Sequence, residues 1–113
     1  MRTRDGLGPW GEALAAKALR RGGYRIVERN YRSRFGEIDL IAENGAYLAF
    51  VEGHIGVAVC SCRKQQRIRA TAMLWLEAHE TALQPRFDVI EIYAPDGTDT
   101  KKPEVRHLED AFE

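Results

Sequence analysis

The sequence has little cysteine, no excess charge of either sign and no long apolar run, and each shortage excludes a class of protein. Two cysteines among 113 residues, Cys60 and Cys62, are too few and too close together for the disulfide framework of a small secreted domain. No segment approaches the ~20 apolar residues of a membrane-spanning helix, and the N-terminus lacks the apolar core of a signal peptide. We therefore expect a cytoplasmic protein with reduced thiols, folded as a single domain over residues 1–113.

The formal net charge is zero, with 17 basic and 17 acidic residues, but the charges are unevenly distributed along the chain. Residues 1–34 have a net charge of +6, residues 35–62 of −4, residues 63–69 of +4 and residues 70–113 of −6. Thirteen of the seventeen basic residues are arginines, whose planar guanidinium binds phosphate oxygens in pairs. Basic segments on both sides of an acidic one indicate a polyanionic partner, although ordinary solvated charge is the alternative.

The most informative segment is an Asn-Gly pair between two strand-like runs, residues 37–43 and 47–54. An Asn-Gly pair in this position predicts a β-hairpin, because a type I′ turn needs a positive φ at both central residues. We expect Asn44 and Gly45 to be those central residues, and the pairing of the two strands then follows from the turn.

This pairing places four polar side chains on one face of the hairpin. They are Glu37, Asp39, Glu52 and His54. Asp39 would lie opposite Phe50 and diagonal to Glu52, roughly 7–8 Å away by backbone, which two carboxylate side chains can close around one cation. Phe50, Ile41 and Leu48 share the face, so it is half covered rather than purely polar. Clustered acids on such a face favour a divalent cation; the alternative is the solvated face of an ordinary hairpin.

The remaining elements follow from helical spacing and from turn residues. The pattern predicts two helices. The first covers 9–21, beginning at Pro9 and ending before Gly22. The second covers about 61–83 and would end at Gln84-Pro85. Strands are expected over 24–30, 87–93 and 105–108, with a mobile loop over about 95–103. The order is α-β-β-β-α-β-β, an α/β fold whose first three strands form a meander.

Several short motifs, spread over nearly the whole chain, carry a resemblance to a known family. They are Gly11-Glu12, Gly-Tyr-Arg-Ile at 23–26, Glu28-Arg29-Asn30, Phe35-Gly36-Glu37-Ile38-Asp39-Leu40-Ile41, Phe50-Val51-Glu52, Arg63-Lys64-Gln65, Arg86-Phe87-Asp88 and Ala111-Phe112. Together they resemble the YraN-like uncharacterised protein family, which is similar to PD-(D/E)XK endonucleases such as archaeal Holliday junction resolvases. The resemblance implies a restriction-endonuclease-like core, with a mixed central sheet flanked by two helices.

The resemblance also implies a metal site for phosphodiester hydrolysis. In such nucleases a helix acid, an Asp of one hairpin strand and the Glu of a Glu-x-Lys on the next hold Mg²⁺ or Mn²⁺, and these positions match Glu12, Asp39 and Glu52. The metal would polarise the scissile phosphate and lower the pKa of a bound water. By its register beside these acids, Glu37 would orient a metal ligand or a metal-bound water; the alternative is a strand-end carboxylate in solvent. The implied partner is nucleic acid, DNA more than RNA, with a homodimer as the usual assembly of junction-cutting enzymes.

His54 stands where the family pattern has the lysine of Glu-x-Lys, and residues 53–62 are shorter and less polar than the family's linker. Histidine can act as a base near neutral pH or bind a metal, and Lys64 or Gln65 could partly replace the lysine, so a nuclease is one interpretation. A catalytically inactive nucleic-acid-binding module is the other. The residues expected to contact nucleic acid are Arg32, Arg34, Arg63, Lys64 and Gln65.

A third interpretation is a structural zinc site formed by His54, Cys60 and Cys62. These are ligand types that zinc prefers, but a fourth ligand at a recognisable spacing is missing. This interpretation predicts stoichiometric zinc in the purified protein and unfolding by a chelator.

Overall fold

A computed structural model describes residues 7–57 and 60–113, which form two α-helices and five strands. The helices are α1 (Pro9–Arg21) and α2 (Cys62–Ala78), and the strands are β1 (Arg25–Arg32), β2 (Glu37–Glu43), β3 (Tyr47–Ile55), β4 (Gln84–Tyr93) and β5 (Glu104–Phe112). The predicted α/β class and element order are confirmed, and the arrangement is consistent with a restriction-endonuclease-like fold. Neither helix of the described residues is long and apolar enough to span a membrane.

The five strands lie in one mixed sheet in the order β1-β2-β3-β4-β5. Strands β3 and β4 are parallel and the other neighbours are antiparallel. A parallel pair needs a crossover connection, and α2 provides it. Helix α1 packs on one face of the sheet, with the buried residues Leu7, Ala15, Leu19, Tyr24, Leu40, Ala42, Ala49, Val51, Ile90 and Ile92. Helix α2 packs with the second core, formed by Ile38, Ile41, Leu48, Phe50, Ile68, Ala72 and Trp75.

The turn of the hairpin differs from the prediction. The Asn44 Oδ1 atom accepts hydrogen bonds from the backbone N–H groups of Ala46 (2.9 Å) and Tyr47 (2.8 Å). Asn44 is therefore the first residue of the turn, and Gly45 and Ala46 lie at its centre. Neither Asn44 nor Gly45 has a positive φ, so the predicted type I′ turn is wrong. Hydrogen bonds to the side chain of Asn44 stabilise this turn, so it does not need residues in the left-handed conformation.

The strand register is shifted as a consequence. Ile41 pairs with Phe50, whereas the predicted turn would have paired Ile41 with Leu48. The shift amounts to two residues, and side chains alternate with a period of two, so every side chain stays on its predicted face. Continued towards the open end of the hairpin, the observed register brings Asp39 opposite Glu52 rather than diagonal to it.

Element boundaries also differ from the prediction, most of all in α2, β4 and β5. Helix α2 ends at Ala78 rather than at 83, and β4 begins at Gln84, so Pro85 lies in a strand. A proline is tolerated there because β4 starts pairing with β5 only at Phe87. Strand β5 extends to Phe112, far beyond the predicted 108, since its largely exposed side chains leave no hydrophobic alternation to detect. The loop over 95–103 contains a short 3-10 turn.

Replacing Phe50 with alanine should lower the free energy of unfolding by about 3–5 kcal/mol, because a buried aromatic side chain would leave a cavity. Phe50 is 1% exposed, and its ring centroid lies 5.9 Å from that of Trp75 and 5.8 Å from that of Phe87. Urea denaturation followed by tryptophan fluorescence measures the loss. The control Met73→Ala truncates a residue that is 57% exposed and should cost about 0.5 kcal/mol or less. Equal losses in the two variants would contradict this core assignment.

Candidate functional site

Two of the predicted metal-binding carboxylates are buried on neighbouring strands. Asp39 on β2 is 2% exposed and Glu52 on β3 is 3% exposed. The backbone N–H of Gly53 donates a hydrogen bond of 2.8 Å to Asp39 Oδ2, which joins the two strands at the level of these acids. The solvated-face interpretation of the hairpin is therefore wrong for Asp39 and Glu52. Carboxylates buried to this degree need hydrogen bonds and positive charge to offset the hydration that they lose.

Positive charge reaches Glu52 from α2. The Nζ atom of Lys64 lies 2.7 Å from Glu52 Oε1 and 3.3 Å from His54 Nε2. His54 Nε2 is itself 3.8 Å from Glu52 Oε1. The three side chains form a compact group of an acid, an ammonium and an imidazole. The side chains of Lys64 and His54 remain 25% and 17% exposed, so the group opens to solvent on one side.

The first turn of α2 positions Lys64. Ser61 is the N-cap residue, and its Oγ accepts a hydrogen bond of 3.2 Å from the backbone N–H of Lys64. The side-chain amide of Gln65 donates to the carbonyl of Cys60 at 3.0 Å, which fixes the connection that leads into the helix. The amide of Gln65 thus has an internal role beside its predicted one in nucleic-acid binding. The helix N-terminus also favours a carboxylate nearby through its dipole.

The other two predicted acids contact β1. Glu12 on α1 is 3.1 Å from Arg29 Nη1 and accepts a hydrogen bond of 2.6 Å from the side-chain amide of Asn30. Glu37 Oε2 lies 2.9 Å from Arg32 Nε. Within residues 7–57 and 60–113, the contacts of Glu12 connect it to the end of β1 rather than to the buried carboxylates. Its assignment as a metal ligand stays a prediction.

Sequence reasoning missed Glu91, which is 5% exposed on β4. Glu91 pairs with His54 in the parallel ladder, so the two side chains lie side by side on the α2 face. The hydroxyl of Tyr93 donates a hydrogen bond of 2.6 Å to Glu91 Oε1, and this bond raises the pKa of Tyr93. A signal for Glu91 was present in the sequence, since it is an acid inside the otherwise apolar run 89–92.

A second polar cluster lies between β4 and β5. Both oxygens of Asp88, which is fully buried, accept hydrogen bonds of 2.8 Å from the guanidinium of Arg86. His107 Nε2 lies 2.7 Å from Asp88 Oδ2, and Arg86 also contacts Glu109 and the hydroxyl of Tyr24. Among the described residues, Asp88, His107 and Glu109 are a group that could hold a metal ion, because their ligand atoms all lie within 4.8 Å of one another.

The guanidinium of Arg86 already supplies the positive charge that a metal would bring to this second cluster. Burial alone would raise the pKa of Asp88, but hydrogen bonds from His107, Arg86 and the backbone N–H of Asp110 hold it below its usual value. Asp110 has a φ of 52°, at an irregularity in the β4–β5 pairing. Asp88 fills that irregularity, so we interpret the cluster as the attachment of β5 to the sheet.

The zinc interpretation gains no support at Cys60. Cys60 is half-buried, and burial together with the nearby charge of Glu52 raises the pKa of its thiol. Zinc binds the thiolate, which this environment disfavours. His54 Nε2 contacts the ammonium of Lys64 at 3.3 Å, and Cys62 is exposed.

Asp88→Asn should lower the free energy of unfolding by about 3–5 kcal/mol near neutral pH, because the buried guanidinium of Arg86 loses its buried carboxylate partner and keeps the exposed Glu109. The folded-state pKa of Asp88 lies below the ordinary 3.8, so its stabilising contribution is present above that value and is lost as the pH falls through the folded-state pKa. Denaturation curves at a series of pH values should show the two proteins converging in acid. The control Asp96→Asn, in an exposed loop, should change little at any pH, and a loss in Asp88→Asn that persists in strong acid would contradict this assignment.

Comparison with known proteins places the chain in a family. The model of the uncharacterised protein family UPF0102 matches residues 11–92. The chain is 42% identical to a UPF0102 protein of Rhodococcus opacus over 94% of this chain and 95% of the relative. It is 40% identical to UPF0102 proteins of Nocardia farcinica, over 96% and 91% of the two chains, and of Geobacter metallireducens, over 95% and 92%. The chain therefore belongs to the UPF0102 family.

Proposed function

We propose that this UPF0102 protein is a divalent-metal-dependent nuclease that hydrolyses phosphodiester bonds, with DNA as its preferred substrate. The observation that carries the proposal is the position of Lys64, whose Nζ lies 2.7 Å from the buried Glu52 and 3.3 Å from His54. A nuclease of this type needs a lysine next to the metal-binding Glu, and the strand position for it holds His54. Lys64 of helix α2 would supply the ammonium group that this strand position lacks.

The buried carboxylates fit a hard cation. Carboxylate oxygens are the ligands that Mg²⁺ and Mn²⁺ prefer, and Asp39 and Glu52 present them on adjacent strands. These two residues would hold the ion, with Glu12 as a third ligand once it exchanges its contacts with Arg29 and Asn30. When bound, the metal would polarise the scissile phosphate and lower the pKa of a water molecule beside it.

Lys64 and His54 would then provide charge stabilisation and proton transfer, respectively. An ammonium group has only donors, so the contact between Lys64 Nζ and His54 Nε2 requires Nε2 to accept and the ring proton to sit on Nδ1. This Nε2 lone pair could take a proton from an attacking water only after Lys64 turns to another acceptor, such as a phosphate oxygen. The ammonium of Lys64 would stabilise the negative charge that develops on the phosphate oxygens.

The same ion pair also favours a second candidate function. The ammonium of Lys64 neutralises Glu52, which is what a bound metal would do, so the protein could bind nucleic acid through its arginines without cutting it. Such a module binds with an affinity that falls steeply as salt rises. Cleavage separates the two functions, because only the nuclease requires a divalent ion and an intact Asp39.

Purified protein should cut DNA in Mg²⁺ or Mn²⁺ but not in EDTA, and Asp39→Asn should abolish the cleavage because the metal loses a ligand. The assay compares branched, single-stranded and duplex DNA with RNA on denaturing gels. Asp96→Asn, the same type of change in the exposed loop that follows β4, serves as the matched control and should cut normally. Cleavage that survives in EDTA or in Asp39→Asn would contradict the proposal, and salt-sensitive binding without cleavage would establish the inactive module.

Lys64→Met should lower the cleavage rate roughly 10²–10³-fold, because it removes the charge that stabilises the transition state. Initial rates at saturating DNA measure the effect. The control Lys17→Met neutralises an exposed lysine of α1 and should leave the rate within about twofold of wild type. A Lys64→Met variant that cuts at the wild-type rate would show that Lys64 is not the cation of this site.

A further inference from the structure

An exposed aromatic ring lies at the turn between β1 and β2. Phe35 is 39% exposed, and the guanidinium carbon of Arg34 lies 4.6 Å from the centre of its ring. The turn that carries it is well fixed, because the backbone N–H of Ser33 donates to the carbonyl of Gly36 at 2.8 Å and the N–H of Phe35 donates to Ser33 Oγ at 3.0 Å. The ring belongs to neither of the two hydrophobic cores.

The turn is attached to α2 beside the proposed site. The hydroxyls of Ser33 and Thr71 are 2.9 Å apart, and Thr71 is fully buried. Gly36 faces the helix, since a Cβ added to it would lie at an ordinary contact distance, 3.5 Å, from the Cβ of Arg67. Arg67 follows Lys64 by three positions, which places the two on neighbouring turns of one helix face. Phe35 is thus held next to the face of α2 that delivers Lys64 to Glu52.

Arginines lie on both elements that meet at Phe35, namely the β1–β2 turn with the end of β1, and helix α2. Arg34, Arg63 and Arg67 are exposed, and the Arg32 side chain is 61% exposed despite its ion pair with Glu37. A basic surface with one exposed aromatic ring matches the chemistry of single-stranded nucleic acid, in which arginines contact the phosphates and bases stack on the ring. A continuous duplex offers no free base face to the ring, because its bases are already stacked on each other.

We propose that Phe35 stacks on an unpaired base of the substrate, so that the site selects single-stranded or branched DNA over continuous duplex. This inference rests on the proposed nuclease function and specifies its substrate. The arginines around the ring hold the phosphates on either side of the stacked base, while the paired part of a branched substrate extends away from the turn.

Binding without cleavage tests this inference. Three fluorescein-labelled DNA substrates are titrated with protein in EDTA. The first is a duplex, the second is the same duplex with a single-stranded flap, and the third carries abasic spacers in place of the nucleosides of that flap. Wild type should bind the base-containing flap at least about fivefold more tightly than the duplex. Phe35→Ala and Phe35→Leu should lose roughly 5- to 100-fold in affinity for that flap, whereas Phe35→Trp should retain it. Phe35→Leu keeps apolar bulk in the turn and guards against a loss caused by misfolding.

Tyr47 provides the matched control. It is also 39% exposed and also lies under a guanidinium, with Arg86 Cζ 4.5 Å from its ring centre, but it sits at the turn between β2 and β3. Tyr47→Ala should bind the flap like wild type. Equal binding of flap, spacer flap and duplex by wild type would overturn the inference, as would unchanged flap affinity in both Phe35→Ala and Phe35→Leu. Phe35-dependent flap binding without cleavage in Mg²⁺ or Mn²⁺ would support the stacking role while refuting the nuclease.

Discussion

The parallel ladder between β3 and β4 is the constraint on which the rest of the structure depends. It runs without interruption from the pair Tyr47–Gln84 to the pair Ile55–Ile92. Two parallel strands cannot be joined by a tight turn, so the chain between them must cross one face of the sheet. Helix α2 makes that crossing and covers the second hydrophobic core. The same crossing brings Lys64 to Glu52. The topology of the sheet therefore also determines which cation neutralises this buried acid in the candidate site.

Buried carboxylates are stabilised in two different ways in this molecule. Asp88 is fully enclosed and receives both hydrogen bonds of one guanidinium together with a histidine and a backbone N–H. The guanidinium of Arg86 is itself only 9% exposed, so this arrangement suits the attachment of an edge strand. Glu52 is nearly as buried, but its partners Lys64 and His54 remain partly exposed. An acid held by cations that solvent can reach is suited to chemistry, because its partners are able to meet a ligand.

Much of the candidate site could be predicted from the sequence, because it depends on alternation along the hairpin. Asp39 and Glu52 lie on the predicted strands and are buried, as the mixed character of their face indicated. The turn was predicted wrongly, yet the shift of two residues preserved the faces. The contacts of Glu12 with Arg29 and Asn30 could not be predicted, since they depend on where α1 lies against the sheet. Glu91 lies in a buried strand and Phe35 in a turn. Both were missed because their surroundings depend on where α2 packs, which the local sequence does not reveal.

By itself, the sequence determined the order of the elements, the faces of the hairpin and the two apolar helix surfaces, because these follow from local periods of two and 3.6 residues. It also carried the family motifs. Only the tertiary structure decided the register at Asn44, the length of β5 and the cation that meets Glu52. The register depends on whether the backbone or the Asn44 side chain makes the hydrogen bonds of the turn. The length of β5 and the cation at Glu52 depend on residues distant in the chain. Lys64 follows Glu52 by twelve positions, and only the crossover of α2 above a parallel strand pair brings the two side chains together.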